Sequence, residues 1–256
     1  MRTPEDNPTT DSLRASREHG SGSPGSSRGH PSLAPRLRRL LRDNGLSLVL
    51  CLLFVGTLAG QSLVGHRKYN NDQRDHGQPT LSYPGYLASP GFLEATMENW
   101  ESEFLQMAVY VVLTAILFQK GSAESKDPEK KEAVDRRPNP RRPGAPGPVR
   151  RGGWALALYR HSLSLAFVSL FALSLLLHAV GGAAEYNEEQ TAHGQSDRVS
   201  VAQYFGTSQF WFESLQNWQS EFLAIACMVV LTIFLRQQGS PESKPVDSAH
   251  SETGNH

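Results

Sequence analysis

Two stretches of this chain are near-copies of one another, and any fold must accommodate that duplication. Residues 99–126 read NWESEFLQMAVYVVLTAILFQKGSAESK and residues 217–244 read NWQSEFLAIACMVVLTIFLRQQGSPESK, identical at 18 of 28 positions. Upstream, YNNDQRDHGQ (69–78) answers YNEEQTAHGQ (186–195), and NGLSLVL (44–50) answers HSLSLAF (161–167). One offset of 117 residues serves throughout, slipping to 118 in the loop after Gly77 and Gly194. Self-similarity of this length marks a duplicated structural unit. Each unit contains two apolar stretches, so the next question is whether they cross a membrane.

Mean hydropathy is mildly polar and the formal charge is zero, but the averages hide segregation along the chain. Asn44–Gly65 and Ser162–Ala184 contain no Asp, Glu, Lys or Arg over 22 and 23 residues. About 20 apolar residues cover a hydrocarbon core of about 30 Å, so both predict transmembrane helices. The runs Phe104–Phe118 and Phe222–Leu235 are shorter, at 15 and 14 residues. Helices starting near Phe92 and Phe210 would nevertheless extend for about 40 Å, with Trp100 and Trp218 placed as interfacial residues. The expected fold class is an all-α membrane protein. Four spans, near 45–65, 100–119, 162–182 and 218–236, come from two parallel two-helix repeats at 36–126 and 154–245. Two hairpins about a pseudo-twofold axis along the membrane normal give a four-helix bundle.

The basic residues set the orientation. The leader before Asn44 carries eight Lys and Arg and the segment between the second and third spans eleven; the two repeat loops carry three and one. Basic segments stay in the cytoplasm, which predicts cytoplasmic termini and outward-facing, acidic repeat loops. Residues 1–35 are rich in Ser, Pro, Gly and Arg and read as a disordered leader, as does the tail 246–256. The linker 127–153 reads as a flexible, basic tether. Its charge suits anionic lipid headgroups, although a topology determinant and solvated spacer explains it more simply. No nucleic-acid partner is expected. Cys51 and Cys227 lie early in spans of opposite direction, which argues against a disulfide.

Three repeated constellations are candidates for chemistry. At the outer ends of spans two and four, Asn99 and Glu103 in one copy, and Asn217 and Glu221 in the other, share a polar helix face opposite Trp100 and Trp218. They predict either a paired-carboxylate site open to the outer side or an interfacial belt with a polar seam. Tyr69, Asn70, Gln73, His76 and Gly77 follow span one, and Tyr186, Asn187, Gln190, His193 and Gly194 follow span three. In each, Tyr, Gln and His fall on one helical stripe, with the glycine placed as a C-terminal cap. An acid precedes each histidine by one turn, so Asp72, His76, Glu189 and His193 form a candidate metal site. Helix capping and hairpin packing account for the same residues. Gly121 and Gly239, in the repeated Gly-Ser-x-Glu-Ser-Lys, are expected to end the second and fourth spans; the repeated Ser-x-Glu-Ser has no explanation from sequence. No nucleotide loop, nucleophile elbow or zinc-ligand spacing occurs, so no enzyme and no cofactor is predicted.

Tyr-Asn-x-x-Gln-x-x-His-Gly, Asn-Trp-Gln-Ser-Glu-Phe-Leu and Gln-x-Gly-Ser-Pro-Glu-Ser-Lys together resemble a family of bacterial multi-pass membrane proteins defined as a domain of unknown function. The resemblance covers about residues 36–247. The second copy fits more closely, since Glu101 stands where Gln219 is usual and Ala123 where Pro241 is. It implies an inner-membrane protein and supplies no activity. The expected role is a non-enzymatic structural or interaction component of the envelope, with self-association into a homo-oligomer compatible with it. The alternatives are a small transporter or channel subunit with an outward vestibule, and a membrane metal-binding or redox protein.

Overall fold

A computed structural model describes residues 33–195 and 197–254, with side chains from residue 37 onward. Most of the leader assigned to residues 1–35 thus lies outside the described residues, as do the last two of the tail. All described regular structure is helical. Helix α1 spans Leu33–Asp75, α2 Tyr83–Leu87, α3 Pro90–Ile116, α4 Gly147–Arg151, α5 Gly153–Arg160, α6 Ser162–Ala192, α7 Val201–Tyr204 and α8 Ser208–Phe234, with one turn of 3₁₀-helix at Ala133–Asp135. The chain divides into two units, Met1–Gly56 and Thr57–His256. In the first, α1 kinks at Asn44 (φ −129°, ψ 18°) and then presents Leu46, Leu52 and Val55 to its surroundings.

The second unit obeys the duplication closely. Ser89 caps α3 by accepting from the Phe92 N–H, and Thr207 caps α8 by accepting from the Phe210 N–H. Gly77 (φ +67°) and Gly194 (φ +78°) end α1 and α6 in matching Schellman motifs, with Gln78 N–H bonded to Gln73 O and Gln195 N–H to Gln190 O. Asn70 clamps Leu81 at both backbone atoms, and Asn187 clamps Val199 in the same way. These clamps fix how the chain turns from the first helix of each repeat towards the second. Tyr69 and Tyr186 complete the turn by packing on Tyr86 and Tyr204.

Three helices, α1, α6 and α8, are long and apolar enough to cross a membrane. The expectation of four spans is met in part: α3 is outside that set, because Glu94, Glu98, Glu101 and Glu103 leave it apolar only from Phe104 to Ile116. Helices α3 and α6 pack antiparallel, Gly91 beside Glu185 and Glu94 beside Gly181. Small residues allow this. Ala179 and Ala183 are buried, and a Cβ on Gly181 would sit 2.8 Å from the Glu94 backbone nitrogen. Helices α3 and α8 run parallel, the Gln106 amide donating to the Glu221 carbonyl at 2.8 Å. The two halves are not packed alike: Met97 on α3 is 9% exposed, while its repeat equivalent Leu215 on α8 is 53% exposed.

Two expectations require correction at the opposite end. Helices α3 and α8 end at Ile116 and Phe234, five residues before Gly121 and Gly239, whose positive φ serves the turns that follow. Those turns explain the repeated serines. Ser122 and Ser240 accept from the N–H two residues on, while Ser125 and Ser243 accept from Gln119 and Gln237 N–H at 2.8 and 2.9 Å. The tail is also structured as far as residue 254. Lys244 is buried and donates to the carbonyls of Ala249, His250 and Glu252; Thr253 accepts from Gly121 N–H. The linker 127–153 is mostly exposed, with Lys126 paired to Asp135 (2.6 Å).

Candidate functional site

The deepest polar feature is one histidine among carboxylates, where α3, α6 and α8 come together. His178, midway along α6, and Glu101 on α3 are both fully buried. His178 Nδ1 lies 3.0 Å from Glu101 Oε2, and its Nε2 lies 3.4 Å from Glu213 Oε2 and 3.9 Å from Glu94 Oε1. Phe210, itself fully buried, stacks on the imidazole with ring centroids 4.8 Å apart. The backbone dictates this meeting. The small face of α6 lets α3 approach until Glu94 and Glu101 reach the histidine, and the Thr207 cap starts α8 so that Phe210 and Glu213 face inward.

Each carboxylate near the ring is held by further donors. Trp218 Nε1–H donates to the other oxygen of Glu101 at 3.2 Å. Tyr204 O–H donates to Glu213 Oε2 at 2.9 Å, and Gln209 donates to Glu213 Oε1. Asn217 donates to Glu98, and the Glu185 carboxyl lies against α3 at Gly91, one turn before Glu94. Burial, with Glu213 beside it, pushes the Tyr204 hydroxyl far above the ordinary phenol range, so it stays a donor. The charge does not balance: one imidazolium at most faces three carboxylates within 4 Å. Burying uncompensated carboxylate is costly, so this cluster needs further protons or a metal cation.

The donor set fits a metal. One ligand atom each from Glu94, His178 and Glu213 lies within 4.8 Å of the others. Ligands at about 2.0–2.2 Å from a common tetrahedral ion lie about 3.3–3.6 Å apart; His178 Nε2 and Glu213 Oε2 already do, at 3.4 Å, whereas Glu94 Oε1, 3.9 Å from Nε2, has to move inward to join them. With Nδ1–H donating to Glu101, Nε2 is free to act as a ligand, the arrangement by which carboxylates orient metal-binding histidines.

None of these ligand-bearing residues was singled out from the sequence. The signal was there in two forms: His178 is an ionisable group inside an apolar span, and the cluster sits where the copies differ. Gln61 is the repeat equivalent of His178, Gln219 that of Glu101 and Ala95 that of Glu213.

The residues that were singled out are distributed differently. Asn99 bonds its own helix at Ala95 O, and Glu103 is exposed, although it comes within electrostatic reach of half-buried Glu221. Asn217 and Trp218 instead serve the buried cluster, through Glu98 and Glu101. Trp100 packs edge-on against Phe104. His76 and His193 do meet, with ring centroids 6.3 Å apart. The carboxylate of Asp72, however, pairs with Lys68 at 2.9 Å, and it is the Asp72 carbonyl that holds His76. Glu189 likewise offers its backbone carbonyl to the His193 N–H. Cys51 and Cys227 are free thiols.

No curated protein and no solved structure matches the chain. A family model described as Domain of unknown function (DUF6766) matches residues 37–255. With most of the chain inside that match, this protein belongs to the family of the Domain of unknown function (DUF6766).

Proposed function

We propose that this chain is an integral membrane protein that holds a divalent transition-metal cation between Glu94, His178 and Glu213. The observation that carries this reading is the convergence of one imidazole nitrogen and two carboxylates on a single point inside the helical core. Glu101, Tyr204 and Gln209 orient the ligands. A mixed set of one nitrogen and two oxygen donors suits Zn²⁺, Fe²⁺ or Mn²⁺ rather than Ca²⁺ or Cu⁺.

The bilayer setting belongs to the same proposal. Helix α3 acts as the fourth span, with Glu94, Glu98 and Glu101 turned inward against α6 and α8 as ionisable groups in membrane segments do. The basic leader and linker are cytoplasmic, and the repeat loops face outward across a bacterial inner membrane. A structural envelope component would need the same bundle but not the uncompensated carboxylates. A vestibule lined by Asn99, Glu103, Asn217 and Glu221 has less support, because Asn99 turns back on its own helix and Glu103 is exposed.

Elemental analysis of the detergent-purified protein, after dialysis against Zn²⁺ or Mn²⁺ and removal of excess, tests the reading. One bound equivalent should be lost in Glu94→Gln/Glu213→Gln, a pair that preserves side-chain size. Equal metal content in that variant and the native chain would refute it.

A further inference from the structure

The ends of α1 and α6 carry a second feature that the buried cluster does not use. His76 and His193 stand at equivalent repeat positions, each at the end of its helix next to a left-handed glycine, and both are exposed. Their rings meet edge to face, with centroids 6.3 Å apart and planes at 88°.

The tautomer of His76 follows from its partner. Nδ1 lies 2.7 Å from the Asp72 carbonyl oxygen, which can only accept. Nδ1 therefore carries the hydrogen, and Nε2 of the neutral ring keeps its lone pair. That is the state in which imidazole binds a metal. An imidazole bound through one nitrogen at about 2.1 Å places its centroid about 3.2 Å from the ion, so two rings on one ion sit about 5–6.4 Å apart, depending on the angle between them. The observed 6.3 Å lies at the wide, near-linear end of that range, and the two exposed rings close by about 1 Å to meet a tetrahedral ion. The C-terminal ends of two helices add their negative dipole ends, which favour a cation there.

Helix α6 then connects this pair to the interior. Glu185, Glu189 and His193 follow His178 at spacings of seven, four and four residues, which keeps all four near one face. Fifteen residues of helix span about 22 Å. Glu185 reaches across to α3 at Gly91, one turn before Glu94, so the acidic stripe ends at the buried cluster.

We propose that His76 and His193 together form a separate, solvent-facing site for a borderline transition-metal cation such as Zn²⁺, at the head of this stripe. The site stands on its own geometry; its use as an entry station for the buried cluster rests on the function proposed above.

Zn²⁺ titration of the full chain in detergent, followed by calorimetry, tests this. His76→Ala/His193→Ala should bind one Zn²⁺ fewer per chain than the native protein, and each single substitution should lose the same equivalent. His178→Ala should keep it. An isotherm for the double variant that superimposes on the native one overturns the proposal, even where His178→Ala loses an equivalent and so supports the buried site. Loss of an equivalent only in the histidine-pair variants would support the surface site and count against the buried one. His76→Cys/His193→Cys, in a Cys51→Ser/Cys227→Ser background, provides a check independent of metal. A short bismaleimide should join the two thiols within one chain, and failure to do so overturns the juxtaposition on which the site depends.

Discussion

Glu101→Gln is the smallest change that should unsettle the core of this protein. The two oxygens of Glu101 each accept one buried hydrogen bond: Oε2 from His178 Nδ1 at 3.0 Å and Oε1 from Trp218 Nε1 at 3.2 Å. A glutamine has nearly the same shape but only one acceptor oxygen, and its amide nitrogen can only donate. While His178 keeps its hydrogen on Nδ1, as metal binding through Nε2 requires, either orientation of the amide leaves a donor on the ring of His178 or Trp218 facing another donor in a site with no exposure. Leaving a buried polar group unpaired costs about 1–3 kcal/mol. For a chain of this size, each kcal/mol lowers the melting temperature by about 2–4 °C, so a drop of about 2–12 °C is expected. Thermal unfolding in detergent, followed by circular dichroism, measures it. Trp218→Phe removes one of the competing donors, so the loss from Glu101→Gln should shrink in that background, with a coupling of about 0.5 kcal/mol or more. A native melting temperature for Glu101→Gln, or an equal loss in both backgrounds, would refute the reasoning.

Further predictions concern packing, the repeat clamps and pH. Gly181→Ala drives a methyl into the Glu94 backbone, which cannot swing aside as a side chain end would; α3 and α6 must part, at a cost of about 1–3 kcal/mol, read as a lower melting temperature. Asn187→Ala deletes both bonds of the clamp on Val199, and should destabilise the protein by about 1–3 kcal/mol in the same assay. At the other end, burial holds the Glu124 carboxyl above the ordinary glutamate range; the Tyr110 hydroxyl opposes the shift and the neighbouring Glu242 adds to it. A carboxyl whose pKa rises on folding supports the fold below its free value of about 4.3 and loses that contribution as pH climbs through the raised one. Melting temperature should therefore fall as pH rises from the ordinary glutamate range towards neutrality, and Glu124→Gln should flatten the slope.

Local features were legible in the sequence because the duplication displayed them twice. The Gly77 and Gly194 caps and the approximate starts of α3 and α8 follow from short-range rules, and the structure has them. The helix ends were misread because Gly121 and Gly239 look like caps. The serine hydroxyls of the following turns take up N–H groups there and let the chain leave the helix five residues earlier. The buried cluster depends on contacts between residues 77 positions apart, Glu101 and His178, which no local pattern announces. The cluster also lies outside what the two copies share. A duplicated scaffold repeats its packing residues, whereas this single site uses residues that only one copy supplies, namely Glu101, His178 and Glu213.

The most direct test of the buried site is the metal K-edge X-ray absorption spectrum of the loaded, detergent-purified chain carrying His76→Ala/His193→Ala. Coordination by Glu94, His178 and Glu213 predicts oxygen and nitrogen ligands at about 2.0–2.2 Å, with outer-shell scattering from a single imidazole that disappears in His178→Ala. A shell without imidazole, or one unchanged by His178→Ala, would contradict the account.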